Sequence, residues 1–292
     1  MRNVKRAHQF LLWILIIGVF GARILSAFLQ ERVFDLASQY ILLFIPVCIV
    51  IFIRKKNPKE ILLLNKIKVK SLFWIVILSF LMQPLILFLS NLGMALFGDP
   101  NQLLFGDVSR FSFGESIFIL AFTPAICEEL VFRGIIADYY KRMNFIKAGV
   151  MSGVLFGLYH MNPYQFMYTF FIGFFAYIVL RFTKSIIAPI ILHMLNNTIT
   201  ICADHFSDVW FPSLQKILGN YQNATSWIFF SLMALLSLVL SFYCLIKILK
   251  QNNSEFEENT SEGRNEKIFD VRLLIIIIMF LISSVVFINA IK

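Results

Sequence analysis

A chain of 292 residues that is 59% hydrophobic and only 15% charged is not an ordinary soluble domain, since such domains are about 45–50% apolar and about 25% charged. Its net charge of +9 does not argue for nucleic acid, because the cations sit between apolar runs, where they set membrane topology. The four cysteines (Cys48, Cys127, Cys202, Cys244) lie in or beside apolar runs without paired spacing, which excludes a disulfide framework or a zinc ribbon.

Nine apolar runs approach the length of about 20 residues that a helix needs to cross a bilayer. In chain order they cover 9–29, 38–53, 71–94, 115–137, 147–161, 164–181, 185–203, 226–249 and 271–291. They predict an all-α, polytopic transmembrane bundle of eight or nine spans. The second and fifth runs are short, and eight spans with one re-entrant segment is the alternative. The basic start, MRNVKRAH, resembles a signal peptide, but its apolar run is long and no small-residue cleavage site follows, so it reads as a retained first helix.

Orientation follows from lysine and arginine. With nine spans, 20 of the 26 basic residues fall on the side of the N-terminus, seven of them between Arg54 and Lys70. That side is expected to be cytoplasmic. The expected organisation is N-terminal helices over 1–111, a core over 112–205, an extracytoplasmic loop and helix over 206–250, a polar cytoplasmic linker over 251–267, and a last helix over 268–292. The linker, QNNSEFEENTSEGRNEK, holds too few apolar residues to pack. Gly153-x-x-x-Gly157 in the fifth run fits close helix packing.

Ionisable residues at membrane depth are expensive and carry a functional hypothesis by default. The fourth run holds Glu128, Glu129 and Arg133; the fifth ends in Phe156-Gly-Leu-Tyr-His160; the seventh holds His193, Asn196 and Asn197. Glu129 and Arg133 are four residues apart and share a helix face, as a mutually neutralising pair. Glu128 is turned about 100° away, free to address another helix. Pro124 is expected to kink the helix below it. At about 1.5 Å per residue, Glu128 and His160 lie roughly 20 Å from the nearest flanking lysine and His193 roughly 14 Å, so three helices bring polar groups to one layer. His193 and Asn197 face the same way and are hydrogen-bond donors suited to a developing oxyanion. Phe156 lies one turn below His160 and packs under its ring. A buried Glu128 carboxylate can take a proton from water and return it to a leaving amine. Arg23, Asp138, Asp204 and His205 read as interfacial.

These residues resemble a known family. EELVFR (128–133), FGLYH (156–160) and HMLNN (193–197) follow the pattern of the CAAX-prenyl protease and bacteriocin-processing family of intramembrane proteases, also called Abi, across about residues 112–205. The resemblance implies peptide-bond hydrolysis within the membrane. Glu128 would act as base with His160 to activate water, and His193 and Asn197 would form the oxyanion site. Glu129 is counted with this catalytic set, and Arg133 and Phe156 support it. Two mechanisms stay open: a metal-free glutamate mechanism, which the His193–Asn197 pair favours, and a zinc site on Glu128, His160 and His193. Implied partners are the bilayer and a membrane-associated peptide or protein, with no nucleic acid. The Lys-, Ile- and Asn-rich style points to the cell membrane of a low-GC bacterium. Two rival readings are a non-proteolytic immunity or scaffold protein and an ion-coupled carrier. A carrier is expected to show internal repeats, and none is evident.

Overall fold

A computed structural model of the chain describes residues 2–100, 111–206, 224–252 and 267–291. Among these residues all regular structure is helical, made of a short helix, Pro58–Ile61, and nine long ones: α1 (Arg2–Phe28), α2 (Glu31–Arg54), α3 (Val69–Phe97), α4 (residues 113–140), α5 (Phe145–Tyr159), α6 (Pro163–Thr183), α7 (Ile187–His205), α8 (Ala224–Asn252) and α9 (Val271–Ile291). Six of them (α1, α2, α3, α6, α8 and α9) are long and apolar enough to cross a membrane. The chain is a multi-pass membrane protein. The other three, α4, α5 and α7, carry the polar motifs.

The nine expected runs and the nine helices agree in order, with shifts at their ends. The second helix begins at Glu31 rather than 38, because its first turns are amphipathic (ERVFDLASQ) and hydropathy alone does not register them. The fifth ends at Tyr159, which leaves His160 as its cap rather than within it. Most of the expected linker and the loop before α8 lie outside the described residues; Gln251 and Asn252 extend α8.

Local chemistry fixes the boundaries. The Ser112 hydroxyl and Glu115 carboxylate form a reciprocal capping box at the start of α4. Asn144 caps α5, and Asn162, followed by Pro163 in the first turn, caps α6. Lys184, at φ 51°, turns the chain out of α6. Pro84 interrupts α3 at Met82, and Ser237 of α8 donates to the Leu81 carbonyl at the break.

The core gathers around α4 and α6. Almost every side chain from Thr123 to Ala137 is buried. The apolar stretch of α6 is 56% buried, against 11% for α2 and 17% for α9, whose free faces are apolar and meet lipid. The tightest packing is between α5 and α6. A Cβ on Gly153 would lie 2.6 Å from the Phe170 carbonyl oxygen, and one on Gly173 would lie 2.9 Å from the Gly153 Cα and the Phe156 Cβ. The backbones touch, as small-residue motifs in membrane helices allow.

At one end of the bundle polar contacts tie distant segments together. Arg54 pairs with Asp138, the Asn65 amide donates to the Lys184 carbonyl, and Lys68 donates to the Gln251 carbonyl. The N-terminal helix joins the same end. Asp270 accepts from His8 Nδ1 at 3.2 Å, and His8 Nε2 is 2.9 Å from the Tyr140 hydroxyl. A carboxylate only accepts, so His8 carries its hydrogen on Nδ1 and takes the Tyr140 hydroxyl proton on Nε2. Asp270 also accepts from the Arg272 and Leu273 amides, which caps α9. The basic loops thus share one physical face of the molecule.

Two outcomes follow. Gly153→Val will lower the thermal midpoint of the detergent-solubilised protein, with an overpacking cost of about 1–3 kcal/mol, while Gly18→Val, where a Cβ meets open space, will not. Burial alone would raise the Asp270 carboxyl, but the Leu273 and Arg272 amides and His8 outweigh it and hold the group below the ordinary aspartate range. A lowered carboxyl stabilises the fold above its unfolded pKa of about 3.9, and that contribution is lost as pH falls through the lowered value. The midpoint gap between wild type and Asp270→Ala, about 1 kcal/mol for a lost cap, will be full at neutral pH and will narrow below about pH 4. A gap that widens in acid would refute this.

Candidate active site

Two wide, π-type turns frame the acidic pair on α4, at Ile117–Phe122 and Leu130–Ile136, with an α segment, Thr123–Glu129, between them. Wide turns inside a helix recur at functional sites because they redirect side chains and free backbone groups. Pro124 has no N–H to offer the Leu120 carbonyl four residues back. Asn197 Nδ2, on α7, donates to that carbonyl at 3.0 Å. The expected kink is therefore a widened turn, with α7 laced to it.

Glu129 is fully buried and its Oε1 accepts two hydrogen bonds, from Arg133 Nη1 at 3.0 Å and from His193 Nδ1 at 3.0 Å. Arg133 is 1% exposed. Its Nη2 donates to the Gly173 carbonyl at 2.8 Å, and its guanidinium stacks 4.8 Å over the Phe156 ring. An isolated charge here would be prohibitive; this one is neutralised, hydrogen-bonded and covered by a π face. The expected Glu129–Arg133 pair is present. It also takes in His193 from another helix, which spacing within one helix does not reveal.

Glu128, 8% exposed, faces the same imidazole from its other edge: Glu128 Oε2 is 4.0 Å from His193 Nε2. That distance is too long for a direct hydrogen bond, and Oε2 is a buried acceptor without a partner. His193 thus sits between two consecutive glutamates. With the Glu129 side carboxylate, Nδ1 carries hydrogen, and in the neutral ring Nε2 presents its lone pair toward Glu128.

His160 follows α5 as its cap, and its Nδ1 donates to the Phe156 carbonyl at 2.8 Å. A carbonyl only accepts, so in the neutral ring Nε2 is the basic nitrogen. His160 makes no hydrogen bond or ion pair with Glu128. It joins the layer through Phe156, whose ring stands edge-on to His160 at 5.0 Å, to His193 at 5.7 Å and to Phe132 at 5.0 Å. Phe156, expected only under His160, is the ring on which both histidines and Arg133 pack.

Asn197 shares its helix face with His193 as expected, but one of its two amide hydrogens is committed to α4. Asn196, next to it, accepts from Gln83 Nε2 at 2.7 Å. Gln83 is a residue that sequence reasoning missed; its signal was a polar side chain beside Pro84 in the middle of an apolar run. His205 lies against Phe113 at the far end of α7, consistent with an interfacial position.

Among the described residues no three of His, Cys, Asp and Glu gather closely enough to hold a metal ion. Glu128 and His193 approach one another, but His160 does not complete a zinc ligand set with them.

A family model described as type II CAAX prenyl endopeptidase Rce1-like matches residues 112–199. A Bacillus subtilis (strain 168) protein named "Putative membrane peptidase YdiL" is 36% identical over 87 residues, which are 29% of this chain and 35% of that protein. The matched segment thus spans about a third of the relative. No solved structure matches the chain. The matched segment contains all three motifs, so over residues 112–199 the chain is similar to the type II CAAX prenyl endopeptidases.

Proposed function

We propose that this chain is an intramembrane endopeptidase that hydrolyses a peptide bond of a membrane-associated peptide or protein. The observation that carries the reading is the buried imidazole of His193 held between Glu129 and Glu128, with the Glu128 carboxylate turned to it and otherwise unbonded.

In this mechanism Glu128 takes a proton from a water molecule oriented with the help of His160 Nε2. The water oxygen bonds to the scissile carbonyl carbon, and the carbonyl oxygen gains negative charge. His193 donates from Nε2 to that oxyanion. It can do so only as an imidazolium, because its Nδ1 hydrogen is already given to Glu129. Glu129 stabilises that imidazolium, and Arg133 fixes Glu129. The second Asn197 N–H supplies a further donor. Collapse of the intermediate breaks the C–N bond, and Glu128 returns its proton to the leaving amine. The products are a carboxylic acid, which ionises on release to solvent, and an amine, with no metal required.

The face that carries the basic loops is taken as cytoplasmic, in the cell membrane of a bacterium. The substrate is a peptide or protein held at the bilayer rather than a nucleic acid.

The decisive experiment presents membrane-anchored and leader-bearing peptides to the purified protein in detergent. Cleavage will occur with and without a chelator. Glu128→Gln will reduce kcat by about 10²–10⁴, and His193→Ala by about 10²–10³. Cleavage within a few-fold of wild type in both variants sinks the site. Loss with chelator and recovery with zinc moves the chemistry to a metal. Absence of cleavage with any peptide, in protein shown to be folded, favours the immunity or scaffold reading. Glu129→Gln separates positioning from base catalysis. It leaves Glu128 in place, so it will reduce kcat by less than Glu128→Gln does.

A further inference from the structure

A second chamber lies at the end of the bundle where the basic loops gather. It is a cavity of about 370 Å³ between the segment Glu60–Leu63, the last turn of α4, the start of α5 and the end of α6. Five cations line it: Arg133, Lys141, Arg142, Arg181 and Lys184. Two acids accompany them, Glu60 and Asp138. Asp138 already accepts from both Arg54 and Lys141, so the lining keeps an excess of positive charge. Arg181 is held in place, its Nη1 donating to the Lys141 carbonyl and the Tyr177 hydroxyl. Apolar side chains such as Phe145 and Phe182, whose rings stack at 5.6 Å, complete the walls.

Basic residues at helix ends ordinarily point into water and do no more than set topology. Here Lys141, Arg142, Arg181 and Lys184 line one open-mouthed cavity whose volume lies within the range of ligand pockets, about 300–1,000 Å³. We propose that this cavity binds the phosphate head group of an anionic phospholipid. Basic pockets between membrane helices at the cytoplasmic surface recognise such head groups, and a cavity lined by both cations and phenylalanines matches a phosphate joined to an acyl-bearing glycerol. The cavity is separate from the catalytic layer: Glu128, His160, His193 and Asn197 do not line it, and only Arg133 belongs to both. A peptide carboxylate delivered to the catalytic layer is therefore the weaker occupant. The shared Arg133 wall places a bound head group behind the side chain that fixes Glu129.

The test is retention of phosphatidylglycerol or phosphatidylcholine by the full chain in detergent, read by native mass spectrometry. Wild type is compared with an Arg142→Gln/Lys184→Gln double variant, neither residue belonging to the catalytic layer. Wild type will retain phosphatidylglycerol at least about 10-fold better than phosphatidylcholine, and the double variant will lose about that factor, each cation contributing several-fold near a membrane surface. Equal retention of the two lipids overturns the proposal. So does undiminished phosphatidylglycerol retention in a variant whose thermal midpoint in phosphatidylcholine is unchanged. Inorganic phosphate that displaces the lipid at millimolar concentration would make this a free-phosphate site. Displacement by a peptide with a free C-terminus, but not by its amide, would make it a substrate subsite.

Discussion

A glutamate and an arginine sit buried and paired at the centre of an apolar bundle, and most of the core can be read as the means of keeping them there. Removing one partner of such a pair strands the other charge, at about 3–5 kcal/mol. Arg133 therefore needs every group that satisfies it: the Glu129 carboxylate, the Gly173 carbonyl and the Phe156 face. Each comes from a different element, α4, α6 and α5, so the charge requirement dictates how closely those elements must pack.

That requirement accounts for the glycines. The Gly173 carbonyl reaches Arg133 only because α5 and α6 approach until their backbones touch at Gly153 and Gly173. Phe156 belongs to the same contact, since a Cβ on Gly173 would strike it. The ring is pinned between the two helices and offers fixed edges to His160 and His193. Packing and electrostatics are one arrangement here. The closeness of two helices decides where a guanidinium lies, and the guanidinium decides where a glutamate and then an imidazole lie.

How much of this was legible in the sequence follows from distance along the chain. Glu129 with Arg133, and Phe156 with His160, are four apart, so helix geometry alone brought each pair together. The order of the nine helices was legible because hydropathy needs only local residues. The Glu129–His193 bond spans 64 residues and depends on how α7 packs on α4, which no spacing encodes. Asn197 shows the same limit. Its face was predictable, but its bond to Leu120 depends on a carbonyl that Pro124 leaves unserved across the helix interface. Gln83 was overlooked because a single amide inside an apolar run carries no period.

The proton inventory of the layer is what makes a buried acid compatible with chemistry. Glu129 and Arg133 cancel. Glu128 and His193 remain, and in the proposed mechanism a single proton shared between them would leave the layer neutral. That proton can rest on Glu128, giving two uncharged groups, or on His193, giving a carboxylate beside an imidazolium. Both forms have zero net charge, so the surrounding hydrocarbon opposes neither as it would a lone ion. Only the second can act on a peptide bond, because Glu128 must be ionised to accept a proton and His193 must be protonated to donate to an oxyanion. In the proposed mechanism one proton shift across the 4.0 Å gap would arm the base and the oxyanion donor together. Glu129 favours that state by holding the far side of the imidazole. Under that proposal the neighbouring glutamates divide the work, and both need to be carboxylates even though only one would touch water.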